Sequence, residues 1–273
     1  MIVKEKNGEG FLDLRICDNL ELMAEIKDNT IDLIYCDILY GTGRKFKDYQ
    51  DLKPIRSEIK SHYIPRIKEM HRILKPTGSI YLQMDTRINH WMRCIMDDVF
   101  GYENFRNEII WAYKSSGSSS GNYAKKYDII LYYRKSKNFT WNPLKVKTIL
   151  NNQKNREYSK KYGGHFDNNG DWIQLVNIKN YWDDIPIVNK LSNRNENVNY
   201  DTQKPKALIE RIIKASSNEG DLVADFYSGS FTTAEVCKDL KRSFIGCDIN
   251  PNCFEKAKER GLFSFTDLPT NVD

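Results

Sequence analysis

Short apolar runs alternate with amphipathic stretches in two separate parts of the chain, and no other feature of the sequence restricts the fold as strongly. In residues 11–111, the runs FLDLRIC, IDLIYC and SIYLQM predict strands, and residues 57–74 and 89–100 predict helices. Residues 201–262 continue the same pattern. Strands that alternate with helices form βαβ units. We therefore expect an α/β fold with a mostly parallel, doubly wound sheet.

The second stretch contains the clearest amphipathic helix. Pro205 stands at its first turn, and Leu208, Ile209, Ile212 and Ile213 follow at positions that share one face. The remaining elements predicted for this stretch are strands at 221–227 and 243–249 and helices at 232–240 and 251–260.

Residues 112–200 differ in composition from the two α/β stretches. They carry 15 Lys and Arg against 7 Asp and Glu, a net charge of +8 in a chain whose total is +5. Fifteen Asn and the run SSGSSSG also lie there, and only residues 127–133 predict a strand. Basic and amide side chains suit a surface that neutralises phosphates and reads base edges. A loop-rich insertion with a solvated face is the alternative interpretation.

Other compositional features argue against several classes of protein. The chain has no run of about 18 apolar residues, so we expect no membrane span. Its first ten residues mix Lys, Glu and Gly and lack the apolar centre of a secretory signal. The six cysteines form no CxxC pair, and the four histidines form no HxxxH pattern. We therefore expect free thiols in a reducing cytoplasm and no metal centre.

A turn of small residues follows the strand at 221–227 and leads into a helix. Such a turn lets a ligand approach the backbone, and the helix start offers free amide donors. Asp248 ends the next strand, 19 residues beyond Gly229, which is the position of a carboxylate that accepts ribose hydroxyls. Neither GxGxxG nor a P-loop is present, so S-adenosylmethionine fits better than NAD or ATP. A plain βαβ unit with an incidental Asp248 is the alternative.

A second informative turn follows the strand at 31–36. Asp37 and Tyr40 stand there together, and a Gly-Thr-Gly loop comes next. In a doubly wound sheet, ligands bind at the carboxyl ends of the strands. The turn is therefore a candidate catalytic site, although a strand-end Asp with a packing Tyr would give the same pattern.

Several segments, taken in order, resemble those of one known family. Residues 37–40, Asp-Ile-Leu-Tyr, are similar to that family's catalytic tetrapeptide Asp-Pro-Pro-Tyr, and Asp18 matches its carboxylate near the cofactor adenine. The family is the permuted β-class of DNA amino-methyltransferases, found in restriction–modification systems and phages. The resemblance extends from about residue 11 to 262, apart from the 112–200 zone. The other similar segments are FRNEIIW at 105–111, TQKP at 202–205, GD at 220–221, DFYSGSFTT at 225–233 and IGCD at 245–248.

The resemblance implies a Rossmann-like methyltransferase fold in three parts. Residues 1–111 would form the catalytic half, 112–200 an inserted target-recognition region and 201–273 the cofactor-binding half. The implied activity is methyl transfer from S-adenosyl-L-methionine to N6 of an adenine flipped out of double-stranded DNA. The implied catalytic residues are Asp37, Ile38 and Tyr40. The implied cofactor-binding residues are Asp18, Asp37, Lys204, Asp225, Tyr227, Ser228, Gly229, Ser230, Thr232 and Asp248.

Three positions, in two places, depart from the family pattern. Ile38 and Leu39 replace both prolines of the tetrapeptide, and Phe231 stands where the family usually has glycine. The Phe231 ring either narrows the pocket near the methionine end of the cofactor or packs in the core. Alternatives to adenine methylation are N4-cytosine methylation, a catalytically silent DNA- or cofactor-binding protein, and an RNA or protein methyltransferase. A homodimer and a cognate restriction enzyme are further partners that the resemblance suggests.

Overall fold

The structure is a computed structural model that describes residues 2–8, 10–46, 49–188 and 196–263. Its strands fall into a large sheet and a small one. In chain order, the strands are β1 Ile2–Asn7, β2 Gly10–Ile16, β3 Ile31–Asp37, β4 Leu74–Met84, β5 Phe105–Ala112, β6 Tyr127–Arg134, β7 Lys145–Ile149, β8 His165–Phe166, β9 Trp172–Asn177, β10 Tyr181–Trp182, β11 Leu222–Asp225 and β12 Ser243–Asp248.

The large sheet has the order β1-β2-β12-β11-β3-β4-β6-β5-β10 in the described part of the chain. Its central strands, from β2 through β4, pair in parallel, and so do β5 and β10. The β1–β2, β4–β6 and β5–β6 pairings are antiparallel. The expected α/β fold with a mostly parallel sheet is confirmed.

Helices cover both faces of this sheet. The described helices are α1 Asn19–Glu25, α2 Arg56–Ile73, α3 Asn89–Phe100, α4 Gln153–Ser159, α5 Lys206–Ser216, α6 Thr232–Asp239 and α7 Asn252–Glu259. Helix α4 lies in the 112–200 zone and contributes to neither of the two cores on this sheet. Along β3, Ile34 and Cys36 belong to the apolar core that contains α1, α2 and α3. Leu33 and Tyr35 belong to a second core with α5, α6 and α7. Side chains alternate between the faces of a strand, so the middle of β3, residues 33–36, is apolar because both of its faces are covered.

Most of the predicted elements lie where the hydrophobic pattern placed them. The helix at 89–100 matches α3, and the apolar face predicted for α5 is buried. The expectation that Leu74 ends a helix is wrong: α2 ends at Ile73, and Leu74 opens β4 opposite Ile31. None of the described helices is both long enough and apolar enough to cross a membrane.

The chain reverses its direction of winding between β3 and β11. From β3 it passes through α2 to β4 on one side, and from β11 through α6 to β12 on the other. The connections therefore diverge and leave a crevice at the carboxyl ends of these two strands. Antiparallel β6 begins at this same edge, because it runs opposite to β4.

The 112–200 zone contains the small sheet, with the order β7-β9-β8, and helix α4. Two other strands of the zone, β6 and β10, pair with the large sheet. The division into three functional parts stays a prediction. Residues 189–195 of the zone and residues 264–273 of the expected cofactor-binding half lie outside the described residues.

Phe231 precedes α6 and has a fully buried side chain. Its ring packs against Phe244 and Phe254, with centroids 6.3 and 6.0 Å away. The ring therefore lies in the core, which decides between the two orientations left open by the sequence. The backbone of Phe231 has φ 53°, in the left-handed region that favours glycine. Core packing thus holds a side chain at a position with strained backbone geometry.

Replacing Phe231 separates these two effects. Phe231→Ala should lower the free energy of unfolding by about 3–5 kcal/mol, because it removes a buried ring. Phe231→Gly should lower it less, by a margin of about 1 kcal/mol, because glycine adopts positive φ without a Cβ clash. Urea denaturation of both variants measures the difference. An alanine variant more stable than the glycine variant would show that the backbone strain is negligible.

Candidate active site

Every residue that the sequence assigned to the site lines one cavity of about 530 Å³ at the carboxyl ends of the central strands. β3 brings Asp37, β11 brings Asp225, and β12 brings Asp248 to this edge. These strands are neighbours in the sheet, so carboxylates far apart in sequence meet in space. The other assigned residues of the lining are Asp18, Ile38, Tyr40, Lys204, Tyr227, Ser228, Gly229, Ser230 and Thr232.

Asp248 faces the turn after β11. Its carboxylate accepts hydrogen bonds from the backbone N–H groups of Gly229 at 2.8 Å and Asn250 at 2.9 Å. Burial raises the pKa of Asp248, and these hydrogen bonds oppose the rise. Gly229 has φ 50°, and a Cβ there would lie 3.2 Å from the Tyr200 ring. A glycine therefore allows the turn to lie close to both Asp248 and the Tyr200 ring.

Asp225 forms the inner wall of the same turn. It accepts hydrogen bonds from the Tyr227 N–H at 3.0 Å and from the Thr233 hydroxyl at 2.6 Å. Burial raises the pKa of Asp225 to about 7, although both hydrogen bonds favour the ionised form. Asp225 thus fixes the turn and holds a titratable group beneath the cavity.

Asp18 lies at another wall, at the start of α1. It accepts the Leu20 N–H at 2.8 Å and forms an ion pair with Arg66, 2.8 Å away. Arg66 also donates to Asn19 Oδ1, and His62 lies one helical turn earlier on α2. Burial, the largest cause, and the Arg66 charge lower the pKa of His62 to about 4. The sequence pattern did not single out His62, Arg66 or Asn19, because polar residues beside an apolar helix face are normally solvated.

Asp37 has partners on both carboxylate oxygens. Lys204 Nζ lies 2.6 Å from Oδ2, and the Tyr40 hydroxyl lies 2.8 Å from Oδ1. Burial raises the pKa of Asp37, and the Lys204 charge opposes that rise. Lys204 also donates to the Thr202 carbonyl at 3.1 Å. The structure thus places Lys204 on Asp37, a contact that the sequence did not predict.

Ile38 and Leu39 hold the turn through backbone hydrogen bonds. The Ile38 N–H donates to the Gln83 carbonyl at 3.1 Å, a bond that proline could not form. The Leu39 carbonyl accepts the Tyr63 hydroxyl at 2.9 Å. None of the described residues donates to the Ile38 carbonyl. The turn is therefore fixed without its prolines, and one carbonyl remains available as an acceptor.

A polar cluster behind Tyr40 was missed by the sequence analysis. The Tyr40 hydroxyl contacts Asp128 Oδ2 at 2.6 Å, and the Gln83 side chain donates to the same oxygen at 2.9 Å. Tyr113 donates to Asp128 Oδ1 at 3.0 Å. A signal for this cluster was present, since Asp128 is the one charged side chain inside the otherwise apolar run at 127–133.

Known proteins match most of the chain. A DNA methylase family model matches residues 31–259. The chain is 33% identical over 247 residues to the type II methyltransferase M.HpaI of Haemophilus parainfluenzae, covering 90% of this chain and 73% of that protein. It is 32% identical over 239 residues to the DNA adenine methyltransferase YhdJ of Escherichia coli strain K12, covering 85% and 76%. The chain belongs to this DNA methylase family.

Solved structures of DNA methyltransferases share the fold. The PvuII DNA methyltransferase, described as cytosine-N4-specific, superposes with a TM-score of 0.66 at 18% identity, covering 96% of this chain and 88% of that one. The M1.HpyAVI–SAM complex superposes with a TM-score of 0.58 at 19% identity, covering 92% and 100%. The Rossmann-like methyltransferase architecture implied by the resemblance is confirmed.

The lining of this DNA methylase's cavity is acidic. Its charged residues are five aspartates against Lys204 and Arg66; the aspartates are Asp18, Asp37, Asp51, Asp225 and Asp248. This donor set fits a nucleoside that carries positive charge better than a phosphate-bearing nucleotide, since carboxylates repel phosphates. S-adenosylmethionine, with ribose hydroxyls, a sulfonium and an ammonium group, matches that chemistry. No group of three or more His, Cys, Asp and Glu placed to hold a metal ion occurs within the described ranges.

The raised pKa of Asp225 predicts a pH-dependent stability. Between the ordinary value of 3.8 and about 7, the folded DNA methylase keeps a proton that the unfolded chain loses. The stabilising contribution is therefore complete at low pH and is lost as pH rises through about 7. Relative to Asp225→Asn, the unsubstituted protein should lose about 1.4 kcal/mol of unfolding free energy per pH unit in this window.

Denaturant unfolding at several pH values from about 4 to 8 measures this difference, and the exposed Asp201→Asn controls for a general loss of negative charge. A difference between Asp225→Asn and the unsubstituted protein that stays constant with pH would contradict a raised pKa.

Proposed function

We propose that this DNA methyltransferase uses S-adenosylmethionine to methylate N6 of adenine in double-stranded DNA. One observation carries the proposal: Asp37 and Ile38, to whose carbonyl none of the described backbone groups donates, line the same cavity as the turn held by Asp248. A pair of hydrogen-bond acceptors for an amino group thus faces a pocket suited to a charged nucleoside.

The cofactor would lie along the ends of β11 and β12. We propose that Asp248 accepts the ribose hydroxyls and that the turn from Tyr227 to Thr232 contacts the methionine end. Asp18, held by its ion pair with Arg66, would act at the adenine end. When bound, S-adenosylmethionine supplies an electrophilic methyl group. That the 112–200 zone recognises the target, between a catalytic half and a cofactor-binding half, is part of the same proposal.

The chemistry required of the protein concerns the target amine. Its lone pair is delocalised into the base ring, so the amine is a poor nucleophile. Asp37 and the Ile38 carbonyl would each accept one N–H, which localises the lone pair and leaves it free to attack. Such acceptors, fixed before the reaction, lower the barrier by proximity and electrostatics. The Tyr40 ring would stack on the base after the base leaves the duplex. Such stacking contributes on the order of 1–3 kcal/mol to binding.

A loop at the same edge of the sheet is the proposed DNA contact nearest to the site. It joins the end of β5 to the start of β6, from Tyr113 to Lys126, and it contains serines, Asn122 and the exposed Lys114 and Lys125. Tyr113, its first residue, donates to Asp128. Lysines there would neutralise phosphates that flank the flipped base. Further exposed lysines, on β7 and after α4, extend the basic surface of the 112–200 zone.

Adenine is favoured over cytosine for two reasons. A relative of 32% identity is named a DNA adenine methyltransferase, and turns of this family with Asp first and Tyr last favour adenine. N4-cytosine methylation is the second candidate, because the same acceptors serve the same type of nitrogen and the PvuII enzyme shares the fold. A silent binding protein is less consistent with the retention of Asp37, Tyr40 and Asp248. A homodimer, a cognate restriction enzyme and a cytoplasmic location stay predictions.

The direct test transfers labelled methyl groups from S-adenosylmethionine to unmethylated genomic DNA and identifies the modified nucleoside by mass spectrometry. We expect N6-methyladenine. N4-methylcytosine would replace the proposed substrate and keep the mechanism. No modified base from protein that binds the cofactor would reject the enzymatic proposal.

Two substitutions should separate catalysis from cofactor binding. Asp37→Asn should lower kcat about a hundredfold or more, because a charged acceptor for the amine is lost, and leave the Kd for S-adenosylmethionine largely unchanged. Asp248→Asn should weaken that Kd about tenfold to a hundredfold, because charge-assisted hydrogen bonds to the ribose are lost. Calorimetric titration and steady-state kinetics measure both. An unchanged Kd for Asp248→Asn, or full turnover for Asp37→Asn, would refute the corresponding role.

The loop lysines make a prediction about salt. Removing Lys114 and Lys125 should reduce the slope of log affinity for DNA against log salt concentration by about 0.9 for each phosphate that is no longer neutralised. Lys6→Ala is the matched control, because Lys6 lies on edge strand β1 opposite Phe11, at the far edge of the sheet. Fluorescence anisotropy with duplex DNA at several salt concentrations measures the slopes. Equal slopes for the double variant and the control would place the DNA elsewhere.

A further inference from the structure

Asp128 is a buried carboxylate that the proposed reaction does not use. It is only 4% exposed, and it belongs to none of the ion pairs found among the described residues. Its contacts are the neutral side chains of Tyr40, Gln83 and Tyr113. A carboxylate buried without a cation is costly, so its retention there calls for a role beyond stability.

The Tyr40 hydroxyl lies between two carboxyl groups. It is 2.8 Å from Asp37 Oδ1 and 2.6 Å from Asp128 Oδ2. A hydroxyl has one proton, so it can donate to only one of them at a time. When it donates to Asp37, both Asp37 oxygens are engaged, because Lys204 holds Oδ2. Each Asp37 oxygen then already has one donor, so Asp37 offers a target amine less of its acceptor capacity.

We propose that Asp128 is a positioning residue that accepts the Tyr40 hydroxyl and thereby frees Asp37 Oδ1 for the amino group of the target base. The inference rests on the proposed function. No covalent bond is made or broken. The hydroxyl rotates so that its hydrogen bond passes from Asp37 to Asp128, and the incoming N–H donates to Asp37 instead.

The surroundings of Asp128 support this role. Gln83 donates to Asp128 at 2.9 Å, and its own carbonyl oxygen accepts the Tyr35 hydroxyl at 2.8 Å. Tyr35 and Gln83 are fully buried on neighbouring strands β3 and β4, so the orientation of the Gln83 amide is fixed. Asp128 is not part of the cavity lining, whereas Tyr40 and Asp37 are. Among its described hydrogen-bond partners, Tyr40 is the one that lines the cavity, so its hydrogen-bonded connection to the reaction passes through the Tyr40 hydroxyl.

A double-mutant cycle tests the proposal, with genomic DNA and labelled S-adenosylmethionine. Asp128→Ala should lower kcat about tenfold to a hundredfold, because the hydroxyl then stays on Asp37. KM and the Kd values for DNA and S-adenosylmethionine should change less than about threefold. In the Tyr40→Phe background, which has no hydroxyl to withdraw, Asp128→Ala should change kcat less than about threefold. An equal loss of kcat in both backgrounds would overturn the proposal.

Two further variants guard against a misfolded alanine variant. Asp128→Asn keeps the side-chain volume and offers an amide oxygen to Tyr40, so it should retain kcat within about threefold of the unsubstituted protein. A loss as large as that expected for alanine would show that the charge matters instead, and would refute the positioning role. Tyr132→Phe removes a hydroxyl elsewhere on β6, outside the cavity lining, and should leave kcat nearly unchanged.

The outcomes separate this inference from the proposed function. If the unsubstituted protein transfers no methyl group to DNA, the proposed function fails. If it transfers methyl groups and the Asp128 and Tyr40 substitutions act additively, only the role of Asp128 fails.

Discussion

The pairing of one buried carboxylate, Asp37, organises the site. Its side chain is 18% exposed and its partner Lys204 13%, so neither charge is fully solvated, and each needs the other. The two residues are 167 positions apart in the chain. Their ion pair therefore joins the end of β3 to the segment that enters α5. In the sequence, the 112–200 zone lies between these two segments. The cavity exists because these two segments are held together.

Burial and hydrogen bonding compete at the carboxyl edge of the sheet. Asp37, Asp225 and Asp248 all have pKa values raised by burial, and each is partly compensated by nearby donors. A site that concentrates acidic groups in this way destabilises the empty protein and favours a cationic ligand. The same residues thus account both for the cost in stability and for the selectivity of the pocket. A sulfonium and an ammonium group would relieve the unfavourable negative charge density.

Most of the central fold and the main site residues could be predicted from the sequence, because their signals are local. A carboxylate at the end of an apolar run lies at a sheet edge, and Asp248 stands 19 residues after the Gly229 turn, one βαβ step along the chain. The small sheet and β10 gave no such signal, because their strands are short: β8 and β10 have two residues each, and polar residues interrupt β7 and β9. Asp128 stood out as a charge inside an apolar run, but its partner Tyr40 did not, since the antiparallel pairing of β6 with β4 brings the two together.

The sequence by itself determined the order of strands and helices, the two turns that face the cavity and the acidic character of the ligand site, because apolar periodicity and residue type encode them directly. Tertiary structure decided the rest. Phe231 occupies a position where local backbone preference calls for glycine, and only the surrounding Phe244 and Phe254 explain its ring. The partners of Asp37, Tyr40 and Asp128 likewise come from separate strands and loops. Hydrogen bonds between such segments depend on how the strands and loops assemble, which no local pattern of residues specifies.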